Sequence, residues 1–249
     1  MKSGDDPFRL DGRRILVTGA GSDIGRAIAA ACADAGASVV ASGRDPSRLA
    51  RTEAMLASRG NEHACVPADL VDAVERERLA TAASGIDGLV YAASVTGPML
   101  GRSVTARHLH ERFEANYFAP MLLIRELLAA NAVNDGGSLV FISSISAVVG
   151  TRGMSVYAAT KASQIASARC LALELGPKRI RVNCIAPAIV KTDVYDGLGE
   201  HWLKEQAERY PLGLGLPRDV ALAALFLLAP ASRWITGETM VLSGASSWV

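Results

Sequence analysis

The sequence has almost no net charge. Its 26 Lys and Arg stand against 25 Asp and Glu, leaving +1 over 249 residues. That removes the electrostatic case for nucleic acid or an anionic membrane surface as a partner. No run approaches the ~20 apolar residues needed to span a bilayer. The first residues, Met1-Lys-Ser-Gly-Asp-Asp-Pro7, are polar and lack the apolar centre of a signal peptide. Residues 1–9 read as a flexible start. The four cysteines, Cys32, Cys65, Cys170 and Cys184, form no Cys-x-x-Cys and no metal-ligand spacing. Each lies in an apolar stretch, so the expectation is buried free thiols, no metal and a reducing, cytoplasmic location.

What is present is apolar residue in quantity, 50% of the chain, laid out in alternation. Short apolar runs at Arg14–Val17, Ser38–Ala41, Ala64–Val66, Gly88–Ala92, Ser138–Ile142, Arg181–Ile185 and Thr239–Leu242 read as strands. Between them lie helical stretches: Ile24–Ala35, Pro46–Arg59, Val71–Ala83, Ala106–Ala130 (with a bend expected near Pro120), Ser155–Leu175 and Ala221–Leu228. Pro46 is a first-turn proline and Gly60 a stop. Strands this apolar, separated by helices, predict a parallel sheet covered on both faces. No composition break, linker or repeat divides the chain. The expectation is one doubly wound α/β domain over residues 1–249. The longest irregular stretch, about 187–217, follows a strand and carries Tyr195, His201, Trp202 and Tyr210. Ligands of such sheets bind beyond the C-terminal strand ends, so this stretch is the natural substrate lid.

Two local patterns carry chemistry. Thr18-Gly-Ala-Gly-Ser-Asp-Ile-Gly25 joins the first strand to the first helix. Its glycines allow a tight turn and close approach to a pyrophosphate, and the helix N-terminus attracts that charge. Ser155-Val-Tyr157-Ala-Ala-Thr-Lys161 places a phenol and an ammonium four residues apart on one helix face. A free Tyr, with a pKa of about 10, holds its proton too tightly for acid–base work near neutrality, and a nearby ammonium favours the phenolate. By itself the pair also fits a solvated helix face.

Together these motifs resemble the short-chain dehydrogenase/reductase family, over essentially the whole chain from about Leu10. The glycine turn is similar to the family's T-G-x-x-x-G-x-G. Asp69-Leu70 follows the third strand, where the family's Asp contacts adenine. Asn116 stands in the long helix at the family's structural and catalytic Asn. Ser144 precedes Tyr157 at the family spacing. Asn183-Cys-Ile-Ala-Pro187 resembles the segment beyond the sixth strand, and Ile235-Thr-Gly-Glu-Thr239 the lead-in to the last. The resemblance implies a seven-stranded Rossmann fold. It implies cofactor contacts from Gly19, Gly21, Ser22, Asp23, Ile24, Gly25, Asp69, Leu70, Ala92, Tyr157, Lys161 and Pro187, with Val190 and Thr192 at the nicotinamide carboxamide. An acid at Gly43 would select NAD. It is absent, and Arg44 follows, which suits the 2′-phosphate of NADP. Asp45, before Pro46, reads as a helix cap.

The implied activity is hydride transfer between nicotinamide and a ketone or secondary alcohol, a ketoreductase resembling the 3-oxoacyl reductases. Tyr157 is the implied proton donor. Lys161 lowers its pKa and holds the nicotinamide ribose, Ser144 positions the carbonyl, and Asn116 holds a water that links Lys161 to solvent. The sequence departs from the family at four places. Asp23 replaces a Gly, either capping the helix or setting a carboxylate near the pyrophosphate. Tyr91-Ala-Ala-Ser94 replaces Asn-Asn-Ala-Gly, Ala188 replaces a Gly, and Ser243-Gly-Ala245 replaces Asp-Gly-Gly. An NAD-dependent alcohol dehydrogenase and a dinucleotide-binding regulator without turnover stay open as alternatives. The lid residues Val194, Tyr195, Leu198, Trp202 and Leu203 suit a moderately apolar substrate or serve as packing. Lys178 and Arg179 offer only a small basic surface to an acyl carrier protein. Apolar faces on Ala115–Ala130 and Ala158–Leu175 suit a homo-oligomer, dimer or tetramer.

Overall fold

The computed structural model describes residues 6–246, without the side chains of Asp196, Leu198 and Glu200. Seven strands form one all-parallel sheet: β1 (Arg14–Thr18), β2 (Ser38–Gly43), β3 (Ala64–Pro67), β4 (Ile86–Tyr91), β5 (Val133–Ile142), β6 (Arg181–Pro187) and β7 (Thr239–Leu242). Their spatial order is β3-β2-β1-β4-β5-β6-β7. The order reverses direction between β1 and β4, which opens a crevice at their C-terminal ends.

Alternation of side chains along each strand feeds two cores. Leu16, Leu89, Leu139 and Val182 face one side, where α3 (Ala73–Ala82), α5 (Ala119–Ala129) and α6 (Ser155–Leu175) pack through Leu79, Leu123, Leu127 and Leu171. Ile15, Val17, Val90, Val140 and Ile185 face the other. There α1 (Asp23–Asp34), α2 (Pro46–Leu56) and α8 (Pro217–Leu228) pack through Ile28, Leu49 and Leu227. Phe141 on β5 is 1% exposed. Truncating such a ring to Ala costs about 3–5 kcal/mol, because the cavity only partly closes.

Helix starts follow the polar residues. Ser22, Asp45 and Asp72 each accept backbone N–H groups of the next turn, which satisfies donors the helix leaves open. Asp45 therefore caps α2, with Pro46 in the first turn, as its place before proline suggests. Asp23 does not cap α1; that role falls to Ser22, and α3 begins after Asp72 rather than at Val71. The long helix expected over Ala106–Ala130 is interrupted, but not by Pro120. It runs as α4 (Ala106–Phe113), a π-turn over Glu114–Phe118, then α5. The extra residue of such a turn is a common device at functional positions, and here it carries buried Asn116.

The 187–217 stretch is more ordered than its composition indicates. It holds a 3-10 turn at Asp193–Leu198 and α7 (Gly199–Ala207). Two cysteine expectations are corrected: Cys32 and Cys184 are buried, but Cys65 is half-buried and Cys170 faces outward on α6. Of the start read as flexible, residues 1–5 lie outside the described residues. The Pro7 carbonyl accepts from Ala231 N–H at 2.9 Å, and the Phe8 ring lies 6.2 Å from that of Phe226, so residues 7 and 8 are tethered. No helix among the described residues is long and apolar enough to cross a membrane.

Candidate active site

The glycine turn between β1 and α1 is built by close packing. Gly19 has φ +67°, and a Cβ there would sit 2.6 Å from the Ala93 nitrogen. A Cβ on Gly25 would fall 2.1 Å from the Gly19 carbonyl oxygen. Only glycine permits that backbone path. Ser22 locks the turn by donating to Gly19 O at 2.7 Å and accepting from Gly25 N at 3.1 Å. The result is a cradle of backbone at a helix N-terminus. It opens on a cleft lined by Gly19, Gly21, Ser22, Gly43, Arg44, Asp69, Leu70 and Ala92, among others. Seven of the sequence-predicted cofactor residues line that cleft. Ile24 packs into the core beside it.

At the far end of the cleft β2 ends without an acid. Ser42 Oγ is buried there with no partner among the described residues. Arg44 is exposed, with its guanidinium 4.0 Å from the Asp69 carboxylate. Asp69 is itself fixed, donating its N–H to Glu75 at 2.6 Å and accepting from Val71 N at 3.1 Å. The Leu70 carbonyl accepts from buried Arg76 at 2.9 Å, which holds the cleft wall.

Asp23 has a role the motif does not reveal. Its carboxylate pairs with Arg26 at 3.1 Å and accepts the backbone N–H of Asp193 at 3.0 Å. The Asp193 carboxylate in turn pairs with Arg48 on α2. The start of the lid is thus fastened to both sides of the nucleotide cleft. Thr192 immediately precedes this fastening. Val190 is buried and bridges to Gly215, and buried Pro187 ends β6. These three do not line the cleft described above. The contacts of Asp193 and Arg48 span so much sequence that no local pattern announces them. Farther along the lid Tyr195 stacks on Trp202, centroids 5.3 Å apart.

The catalytic candidates converge beyond β4 and β5. Ser144 follows β5, and its hydroxyl also accepts from Ser146 N at 3.2 Å. Tyr157 and Lys161 lie on the first turns of α6. The Ser144 and Ser94 hydroxyls lie near enough to the Tyr157 phenol to favour its ionised form. Burial pushes the Tyr157 pKa above its ordinary value; the two serine hydroxyls oppose that, while negative charge on Tyr195 would add to it. Lys161 is 1% exposed. Its Nζ donates to Ile142 O at 2.8 Å and lies 5.7 Å from the Tyr157 ring centroid. Burial lowers its pKa to about 7. Lys161 can therefore favour the Tyr157 phenolate only while it stays charged, and burial works against that charge.

Asn116 is fully buried. Its side chain accepts from Val95 N at 2.8 Å and donates to Val95 O at 2.9 Å and Thr160 Oγ1 at 3.2 Å. It ties the loop after β4 to α6. Ser94, unmarked by the sequence except as a departure, belongs to this cluster. Among the described residues no group of His, Cys, Asp and Glu could hold a metal.

Comparison with known proteins agrees with this layout. A family profile described as enoyl-(acyl carrier protein) reductase matches residues 19–245. The 3-oxoacyl-[acyl-carrier-protein] reductase of Rickettsia conorii is 32% identical over 94% of this chain and 97% of its own. Human dehydrogenase/reductase SDR family member 4 is 35% identical over 93% and 86%. A solved 7 alpha-hydroxysteroid dehydrogenase, complexed with NADH and 7-oxo glycochenodeoxycholic acid, superposes with a TM-score of 0.91 at 30% identity, covering 100% of this chain and 99% of that one. The fold, the glycine cradle and these relatives together place the chain in the short-chain dehydrogenase/reductase family, as an oxidoreductase acting on CH–OH groups with NAD(P).

Proposed function

We propose that the protein is an NADP(H)-dependent ketoreductase, with Tyr157 as proton donor and Ser144 as the hydroxyl that positions the substrate oxygen. The observation that carries this reading is the gathering of Ser144, Tyr157 and Lys161 where β5 meets α6, in a fold whose glycine turn makes a backbone cradle that a Cβ at Gly19 would fill. The residues fit a dinucleotide. Gly19, Gly21, Ser22 and Gly25 would receive the pyrophosphate, Asp69 and Leu70 the adenine, and Val190 and Thr192 the nicotinamide end. When bound, the cofactor supplies or accepts the hydride. The chain's part is to orient the carbonyl, exclude water and deliver a proton from the Tyr157 oxygen. Gly43 where an acid would select NAD, exposed Arg44 after it and the unpartnered Ser42 hydroxyl before it favour a 2′-phosphate. The stacked Tyr195 and Trp202 suit a moderately apolar ketone.

Asp69 beside Arg44 supports a second reading, an NAD-dependent alcohol dehydrogenase, because it offsets the arginine's charge. We place the protein in the cytoplasm as a homo-oligomer, which exposed Leu109 and Phe118 by the π-turn and Leu173 on α6 support. Parallel fluorescence titrations with NADPH and NADH separate the two cofactor readings. A ketone panel followed by NADPH consumption tests turnover. Tyr157→Phe should then lose at least ~100-fold in kcat; near-normal turnover in that variant would sink the assignment, whereas a wild-type chain that binds NADPH and turns over no ketone would leave the regulatory reading.

A further inference from the structure

Asp23 stands in the glycine turn, and both of its carboxylate oxygens are engaged. One accepts from Arg26 Nη1 at 3.1 Å, the other from the Asp193 backbone N–H at 3.0 Å. Arg26 is itself held. Its Nη2 donates to Gly21 O at 2.9 Å and its Nε to Thr52 Oγ1 at 3.3 Å, while buried Thr52 donates to Ala20 O at 2.7 Å. The carboxylate is thus braced against the turn and aimed at the lid. The Asp193 side chain adds a second clasp, to Arg48 on α2, which lines the cleft with Gly21. Topology says what these clasps cross. The lid leaves β6 at Pro187, and Asp23 follows β1, with β4 and β5 between them in the sheet. Three strand spacings are ~14 Å, and the chain from Pro187 to Asp193 reaches at most ~20 Å. The lid therefore runs directly over the strand ends where the cleft opens.

We propose that Asp23 is a positioning residue that latches the lid across the cleft, and that this latch must open for a dinucleotide to enter or leave. A glycine at this position has no side chain to reach the Asp193 N–H. Asp23 therefore governs the rate of cofactor exchange more than the strength of binding. The Arg48–Asp193 pair is the weaker clasp, because both side chains are exposed to water and salt. The Asp23–Arg26 pair is the more sheltered one.

This inference rests on the cleft as the dinucleotide site, and the test separates the two. Stopped-flow nicotinamide fluorescence, with NADPH and with NADH, gives association and dissociation rates for the wild type, Asp23→Gly, Asp23→Ala and Asp193→Ala. Both Asp23 variants should raise both rates about ten-fold, the scale of one hydrogen bond to a charged group, and move Kd less than either rate. Asp193→Ala keeps the backbone N–H and loses only the Arg48 clasp, so both rates should rise by less. In the protein without cofactor, amide exchange read by mass spectrometry should quicken over residues 189–195 in both Asp23 variants. Asp23→Ala keeps a good helix former in α1 and carries the test should Asp23→Gly fold poorly. A carboxylate that merely repels the pyrophosphate gives a different pattern: its removal speeds association and slows dissociation. That pattern, unchanged rates, or unchanged lid exchange overturns the proposal. Failure of the wild type to bind either cofactor instead overturns the cleft reading and the gate with it, while the exchange still reports the Asp23–Asp193 bond.

Discussion

Tyr91 ends β4 with its ring in the main core, 1% exposed, and its hydroxyl buried without a partner among the described residues. Burial drives its pKa far up, with the Asp69 charge adding to the rise and Arg76 opposing it. Leaving a buried hydroxyl unpaired costs about 1–3 kcal/mol. Tyr91→Phe keeps the ring and removes that oxygen. The void it leaves, about the size of one oxygen, costs only ~0.4 kcal/mol at the usual penalty per unit of cavity volume. The variant should therefore be more stable by about 1–2 kcal/mol, raising Tm by roughly 2–8 °C for a chain of this size. The check is a urea unfolding curve, in which the midpoint rises and the slope is unchanged, together with a thermal scan. Cofactor titration should change little, because the hydroxyl is buried although Tyr91 lines the cleft. A Tyr91→Phe protein destabilised by ~1 kcal/mol or more would refute the reasoning, since it would mean that the hydroxyl is hydrogen-bonded and contributes.

Arg76→Leu leaves half-buried Glu126 with exposed Arg125 at 3.3 Å in place of Arg76 at 3.0 Å, and frees the Leu70 carbonyl; it should cost about 3 kcal/mol in urea unfolding, while adding Glu126→Leu recovers most of that. His63 Nδ1 accepts from Val39 N at 3.1 Å, and burial lowers its pKa. A base held neutral in the fold contributes fully above its unfolded pKa, so stability should be level above about pH 7 and fall as pH drops below about 6.5. His63→Asn should flatten that slope in urea midpoints taken across the window. Gly43→Asp restores the missing acid, and its Cβ finds Gly21 N at 3.3 Å and Leu49 Cδ1 at 3.8 Å, so little must give. NADPH affinity should fall at least ~ten-fold and NADH affinity rise; an unchanged ratio by fluorescence titration counts against the cofactor reading.

The sheet was legible because buried parallel strands are nearly continuous apolar runs, and Leu139–Ile142 or Val182–Ile185 read as nothing else. Turns and caps were legible where one residue type does one job, as with Asp45 before Pro46. α7 was not, because Gly199–Ala207 opens on a glycine and mixes charge with a single Trp in no clear stripe. The π-turn escaped because its cause is tertiary: Asn116 must reach Val95 and Thr160 at once. In the site, spacing identified Tyr157, Lys161 and Ser144, whereas Ser94, Arg48 and Asp193 act through contacts with distant segments. The departures from the family pattern were the nearest thing to a signal. Asp23 and Ser94 both turn out to bind something that the usual glycine could not.

Lys161 is where sequence chemistry and structure pull hardest against each other. An ammonium some 6 Å from a phenolate, at an effective dielectric near 20, is worth ~3 kcal/mol, about two pKa units. The separation here is 5.7 Å to the ring centroid, so Lys161 can do that work only while charged. Burial sets its pKa to about 7, with the Ile142 carbonyl as its hydrogen-bond acceptor. For a base whose folded pKa is depressed, the charged form is lost as pH rises through that value. The pH profile of kcat/KM reports the free enzyme. In the reductive direction it should fall as pH rises through about 7, while Tyr157 is still protonated. Lys161→Arg keeps the charge at any working pH, so whatever activity it retains should lose that limb. A wild-type profile level from about pH 6 to pH 9 would mean that the ammonium stays charged without help, and that the activation of Tyr157 is already complete in the free enzyme.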